Sequence, residues 1–188
     1  MTISLNEVKM YCRDLSPTDA QRAIKFNEVS RDEATITYKM FLEQHKLPRK
    51  IFIEGYNAMY AVAALFLAKK YNLKLDEVLG GTHKNMRAVL DFYTRDSEHN
   101  QKLIQLYEIA IEKFNSLSQK YRNEEHFAER VVKDLINEGF YLGKKITYYS
   151  DAVPGRKDPL ELTIDDAKKF IEDIVEPFLF IMEKLSND

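Results

Sequence analysis

Ala58-Met59-Tyr60-Ala61-Val62-Ala63-Ala64-Leu65-Phe66-Leu67-Ala68 is the longest apolar run in this 188-residue chain. It is shorter than the stretch of about 20 apolar residues that a helix needs to span a bilayer. A helix that is apolar all round is one buried on nearly all sides. The run therefore predicts a core helix, opening after Pro48 and closing near Tyr71. Composition agrees. The chain holds 6 Gly and 5 Pro, about half the usual combined share of roughly 12%. Strand-rich folds need many turns, and turns consume these residues. This argues against a sandwich, barrel or propeller, and a mostly helical single domain is expected.

Outward from the core run, local signals divide the chain into helices. Ser4 and Glu7 form a capping-box pattern that opens a short helix ending near Arg13. Ser16-Pro17-Thr18-Asp19 supplies a cap, a first-turn proline and an early acid for a helix reaching His45. The apolar stripe of that helix blurs around Ser30 to Glu33, where a break is expected. Gly80-Gly81 precede Thr82, which caps a helix from His83 to about Tyr93. Asp96 or Ser97 opens the next, whose residues Leu103, Leu106, Tyr107, Ala110, Ile111, Phe114, Leu117 and Tyr121 give the clearest 3.6-residue period in the chain. Asn123 caps a further helix with Phe127, Val131, Leu135, Leu142, Ile146 and Tyr149 inward. Pro154, Gly155 and Pro159 mark a loop. Thr163 caps the last helix, to about Leu185, which Pro177 is expected to kink by removing an amide donor. No repeat or low-complexity tract occurs.

Charge and cysteine usage narrow the functional classes. A net charge of −2 and a pI near 6.1 carry no global nucleic-acid signature. Cys12 is the sole cysteine, which excludes an intrachain disulfide or a cysteine metal cluster and favours a reducing, cytoplasmic setting. The N-terminus lacks a charged region followed by an apolar one, so no signal peptide is read, and no membrane partner is expected. His45, His83, His99 and His126 form no metal-ligand spacing, so no metal and no cofactor is expected. There is no nucleotide glycine loop and no Gly-x-Ser-x-Gly elbow. Cys12, with Arg13 beside it, reads as a small apolar side chain rather than a nucleophile.

Two segments suit an anion. In Thr82-His83-Lys84-Asn85-Met86-Arg87, a helix N-terminus offers free amide donors. Lys84 and Arg87 are three apart and so share a face. Spacing alone leaves open a capped helix with solvated basic residues. Lys144-Lys145 followed by Tyr148-Tyr149 pairs cations with rings that stack on a base, or simply alternates a solvated face with a packed one.

The stretch Glu54-Gly55-Tyr56-Asn57-Ala58-Met59-Tyr60 through Ala68, followed by a loop and Thr82-His83, resembles the central helix pair of the HEPN family, the "higher eukaryotes and prokaryotes nucleotide-binding" domains. Tyr56, Ala58, Met59 and Tyr60 fill the first part of its pattern, with Asn57 in place of a second tyrosine, and Thr82-His83 fill the last. Leu142 to Tyr149 and Thr163 to Glu183 resemble its basic–aromatic segment and its closing helix. The resemblance implies an all-α, antiparallel four-to-five-helix bundle over residues 20–185, with residues 1–15 as an N-terminal appendage and an extra helix inserted around 97–121. It also implies a homodimer that binds nucleotide or RNA, acting with a partner such as a minimal nucleotidyltransferase in a toxin–antitoxin pair. On it, His83, Lys84 and Arg87 contact phosphate, Lys144 and Tyr148 form a second wall, and Tyr56 closes the pocket.

Active relatives implied by the resemblance are metal-independent endoribonucleases, with Arg and His separated by four to six residues. This chain departs from that spacing. Arg95–His99 and Arg122–His126 each have three intervening residues, a spacing that shares a face if the segment is helical. They are the catalytic candidates if the chain is a ribonuclease. A non-catalytic dimeric adaptor, pairing through the Leu103 to Tyr121 helix, is the remaining alternative.

Overall fold

A computed structural model describes residues 4–76, 82–114 and 163–187. Over these residues the chain is an all-α helical bundle, and the described residues hold one two-stranded sheet. The helices are α1 (Leu5–Tyr11), α2 (Pro17–Glu43), α3 (Pro48–Tyr71), α4 (Thr82–Thr94), α5 over residues 100–114, α6 (Ile164–Phe170) and α7 (Glu176–Asn187), with a π-turn, Ile171–Val175, joining the last two. The helix and loop expected over 123–162 lie outside the described residues.

The core run sits inside α3, at the centre. Ile51, Phe52, Tyr56, Ala58, Met59, Val62, Ala63, Phe66 and Leu67 are all buried. α3 touches α2, α6, the π-turn, α7 and the sheet. It is the one helix among the described residues that is long and apolar enough to cross a membrane, yet 72% of its most apolar window is buried by the rest of the fold.

Local signals fix the starts of α1, α2 and α6. Ser4 accepts from the Glu7 amide while Glu7 reaches back to the Ser4 amide, and Thr163 and Asp166 do the same at α6. Ser16 accepts from the Asp19 amide at 3.2 Å, with Pro17 in the first turn. α2 runs unbroken for 27 residues, so the break expected at Ser30 to Glu33 is absent. Its apolar residues lie on two sides. Ala20, Ala34 and Tyr38 are buried, while Phe26, Val29, Ile36 and Met40 are exposed. Two superposed stripes read as one blurred stripe.

The turn from α2 to α3 is tight, with His45 and Leu47 in the left-handed region at φ 49°. It sends α3 back along α2, and the two pack along their lengths. After α3, Asn72 also adopts a left-handed conformation, and its amide donates to the Leu67 carbonyl. The chain then forms β2 (Leu73–Leu75), antiparallel to β1 (Cys12–Asp14), with Cys12 opposite Leu75. Flanking amides of Leu15 and Asp76 donate to the carbonyls of Asn72 and Tyr11, each at 2.7 Å. The N-terminal segment is thereby tied to the bundle, and Val8 joins the common core.

Pro177, where the sequence predicts a kink, follows directly on an irregular, π-helical stretch, and the helix continues past it. The Glu176 amide bonds the Ile171 carbonyl, five residues back, and the widened turn falls immediately before the proline that has no N–H to give. This turn lies against Gly55. A β-carbon there would come 2.7 Å from Ile171 Cδ1 and 3.0 Å from Val175 Cγ2. Gly55 therefore sets the approach of α3 to the π-turn, and beside it the Phe52 ring meets that of Phe170 at a tilt of 32°, with centroids 4.6 Å apart. Gly55→Leu has no space to fill and is expected to cost more than about 2 kcal/mol of stability by overpacking. Urea unfolding followed by circular dichroism checks this, and an unchanged midpoint would show that the contact is loose.

Candidate functional site

α4 and α5 hold the residues on which the phosphate reading rests. Residues 82–94 form α4, with Met86, Val89 and Leu90 buried and Lys84 exposed. His83 lies in the first turn, which carries no acidic residue. Arg87, one turn on, is turned to other work. Its Nε donates to Glu108 Oε1 at 2.8 Å, its Nη2 lies 2.7 Å from the same oxygen, and its Nη1 lies 3.6 Å from Asp91. The guanidinium is a clamp between α4 and α5. Lys84 is left as the exposed cation of that turn.

Tyr56 is 1% exposed and is a core residue rather than the rim of a pocket. Its ring stacks on Phe114 with centroids 4.4 Å apart, and its hydroxyl lies 3.3 Å from that of Tyr107. Tyr107 in turn stacks on Phe178 of α7 at 5.5 Å. The aromatic chain joins α3, α5 and α7. Burial raises the ionisation of both tyrosines well above the ordinary range near 10. Neither is an acid or base at neutral pH.

Arg95 and His99 do not share a helical face. α4 ends at Thr94 and α5 begins at residue 100, so the pair spans the turn between them. The Arg95 guanidinium lies over the Phe92 ring at 4.5 Å, and His99 Nε2 lies 3.4 Å from Glu98. Ser97 Oγ accepts the His99 amide at 3.1 Å. Asn100 Nδ2 closes the turn by donating to Asp91 Oδ1 and Thr94 Oγ1. Lys144, Tyr148, Arg122 and His126 lie outside the described residues. Among the described residues, no group of three or more His, Cys, Asp or Glu is placed to hold a metal ion.

The feature that sequence reasoning passed over is the outer face of α2. Phe26 is 70% exposed, Ile36 67%, Val29 47% and Met40 41%. With Glu33 between them, these residues follow the alternating three- and four-residue spacing of a helix-pairing seam. Lys25, Asp32 and Lys39 recur every seventh residue along one flank of it, while Ser30, Thr37 and Gln44 line the other. Asp32 also accepts two bonds from its neighbour Arg31, at 2.7 and 2.9 Å. The signal was present in the sequence as the blur in the α2 stripe. Isolated exposed apolar residues are ordinary, but four of them at this spacing over four turns, with Glu33 alone between the two pairs, mark a contact surface.

Comparison with protein-family models, curated proteins and solved structures finds no match for this chain.

Cys12 is buried within β1, and burial, reinforced by the Asp14 carboxylate, pushes its thiol up to about 11 from 9.0. Together with Tyr56 and Tyr107 it makes the fold sensitive to alkali. Each group is held neutral in the folded chain, so its contribution is complete below its unfolded ionisation and is lost as the pH rises through the raised folded value. Stability is expected to hold level to about pH 8, to fall as the unfolded thiol ionises, and to fall faster above about 10 as the tyrosines follow. Urea midpoints measured from pH 7 to 11 check this, and Cys12→Ser flattens the first part of the decline.

Proposed function

We propose that this chain is a non-catalytic helical adaptor that works by pairing the outer face of α2 with an amphipathic helix. The observation that carries the reading is the exposed seam of Phe26, Val29, Ile36 and Met40 on a helix whose opposite side is already buried against the core. Covering such a seam removes apolar surface from water, at about 25 cal/mol per Å² before the costs of association. The state of the polar groups supports the same reading. Arg87 is neutralised by two carboxylates, Tyr56 is packed in the core, and Arg95 and His99 straddle a turn. A photo-crosslinking residue at Ile36, introduced in the cell that makes the protein, is expected to give one discrete adduct. The same residue at exposed Lys9, on α1 and away from the seam, gives less. No discrete adduct from Ile36 overturns the reading.

The second reading is nucleotide or RNA binding at the start of α4. It is supported by exposed Lys84 in a first turn without acids, where amide donors and the helix dipole favour an anion. On this reading the phosphate is held by Lys84 with backbone amides, and Arg87 contributes only if Glu108 releases it. Lys84→Glu is then expected to lower the affinity for labelled ATP and for short RNA by about tenfold, equivalent to about 1.4 kcal/mol. Fluorescence anisotropy checks it. Wild-type protein that binds neither ligand, or a variant that binds equally, removes α4 as the site.

A further inference from the structure

We infer that the helix that pairs with α2 is the α2 of a second copy of this chain, running antiparallel to the first. The inference rests on the adaptor reading above and adds the identity and direction of the partner. Its argument is charge complementarity along the seam. The charged flank of α2 reads Lys25, Asp32, Lys39, plus–minus–plus at seven-residue intervals, and all three side chains are exposed; Arg31 bonds one Asp32 oxygen, Oδ1, and the other is the one that meets a lysine of the second copy. In antiparallel pairing like flanks face each other, and in parallel pairing each flank faces the opposite one. Antiparallel self-pairing therefore sets the flank against its own copy, and sliding the register by one heptad sets each Asp32 against a lysine of the other copy. Two equivalent ion pairs result from the two-fold symmetry.

Parallel self-pairing loses both advantages. It sets the charged flank against Ser30, Thr37 and Gln44, and it stacks Glu33 on Glu33 in the middle of the seam. Antiparallel pairing moves the two Glu33 carboxylates apart along the axis. A partner of different sequence needs its own alternating flank, and this chain already carries one.

The test measures mass in solution by light scattering after size-exclusion chromatography, on the full chain. Wild-type protein at about 100 µM, where a micromolar complex is largely formed, is expected at twice the chain mass. Ile36→Glu is expected at the single mass with an unchanged helical spectrum. Asp32→Lys makes the flank entirely basic, and Lys25→Glu with Lys39→Glu makes it entirely acidic. Each variant alone is expected to be a monomer, and an equimolar mixture of the two is expected to recover the double mass. Monomeric wild-type protein overturns the inference, and if Ile36 crosslinks to another protein in the cell the adaptor reading survives that failure. A wild-type dimer that neither charge reversal weakens also overturns it, because the copies are then paired in another way. Loss of helicity in Ile36→Glu shifts the decision to the charge-reversed pair, whose substitutions lie on an exposed flank.

Discussion

The burial of α3 is the constraint on which the rest of the structure depends. A helix apolar on every side has no face to offer water, so the chain must supply neighbours all round it. α2 covers one side, α6, the π-turn and α7 another, and the aromatic chain from Tyr56 through Tyr107 to Phe178 ties in α5. Gly55 fixes how closely the C-terminal helix can approach, since its missing β-carbon is where Ile171 and Val175 lie. The π-turn and Pro177 belong to this same contact. An irregular stretch of helix is tolerated there because it is seated on the most buried element.

That arrangement explains why α2 has a spare face. α3 needs only one side of α2, which supplies Ala20, Ala34 and Tyr38 and is joined laterally by the Lys69–Glu28 ion pair at 2.9 Å. Nothing about covering α3 requires Phe26 or Ile36, yet both are large, apolar and exposed. A helix that is only a core wall is polar on its outer side. The outer residues of α2 instead follow the spacing of a second packing surface. The functional reading lies in this excess of apolar surface over what the fold uses.

Much of the fold was legible because its signals are local. Ser4 with Glu7, Ser16 with Pro17, and Thr163 with Asp166 are caps made within one turn, and they mark their helices correctly. The stripe from Leu103 to Ile111 is buried as its period requires. What sequence could not supply was long-range. The sheet pairs residues 12–14 with 73–75, three residues on each side, too short to show an alternating pattern. Arg87 shares a face with Lys84 by spacing, but its partner Glu108 lies 21 residues away and belongs to a different helix. Arg95 and His99 have helical spacing without a helix between them. The seam on α2 was legible in principle, and was hidden because two periodic patterns of the same helix overlapped.

The most direct measurement of the central claim is the distance between the same residue in two copies. A spin label at Glu43, introduced as cysteine in a Cys12→Ser background, reports the direction of pairing at one end of the seam. Antiparallel copies that set Asp32 against a lysine separate the two labelled positions by at least about 25 Å along the axis, from 1.5 Å of rise per residue. Parallel copies hold them at the interhelical spacing of about 10 Å. A distance distribution beyond about 25 Å, abolished by Ile36→Glu, is the predicted result. A short distance near that spacing, or no dipolar signal at a concentration where the complex is formed, contradicts the account.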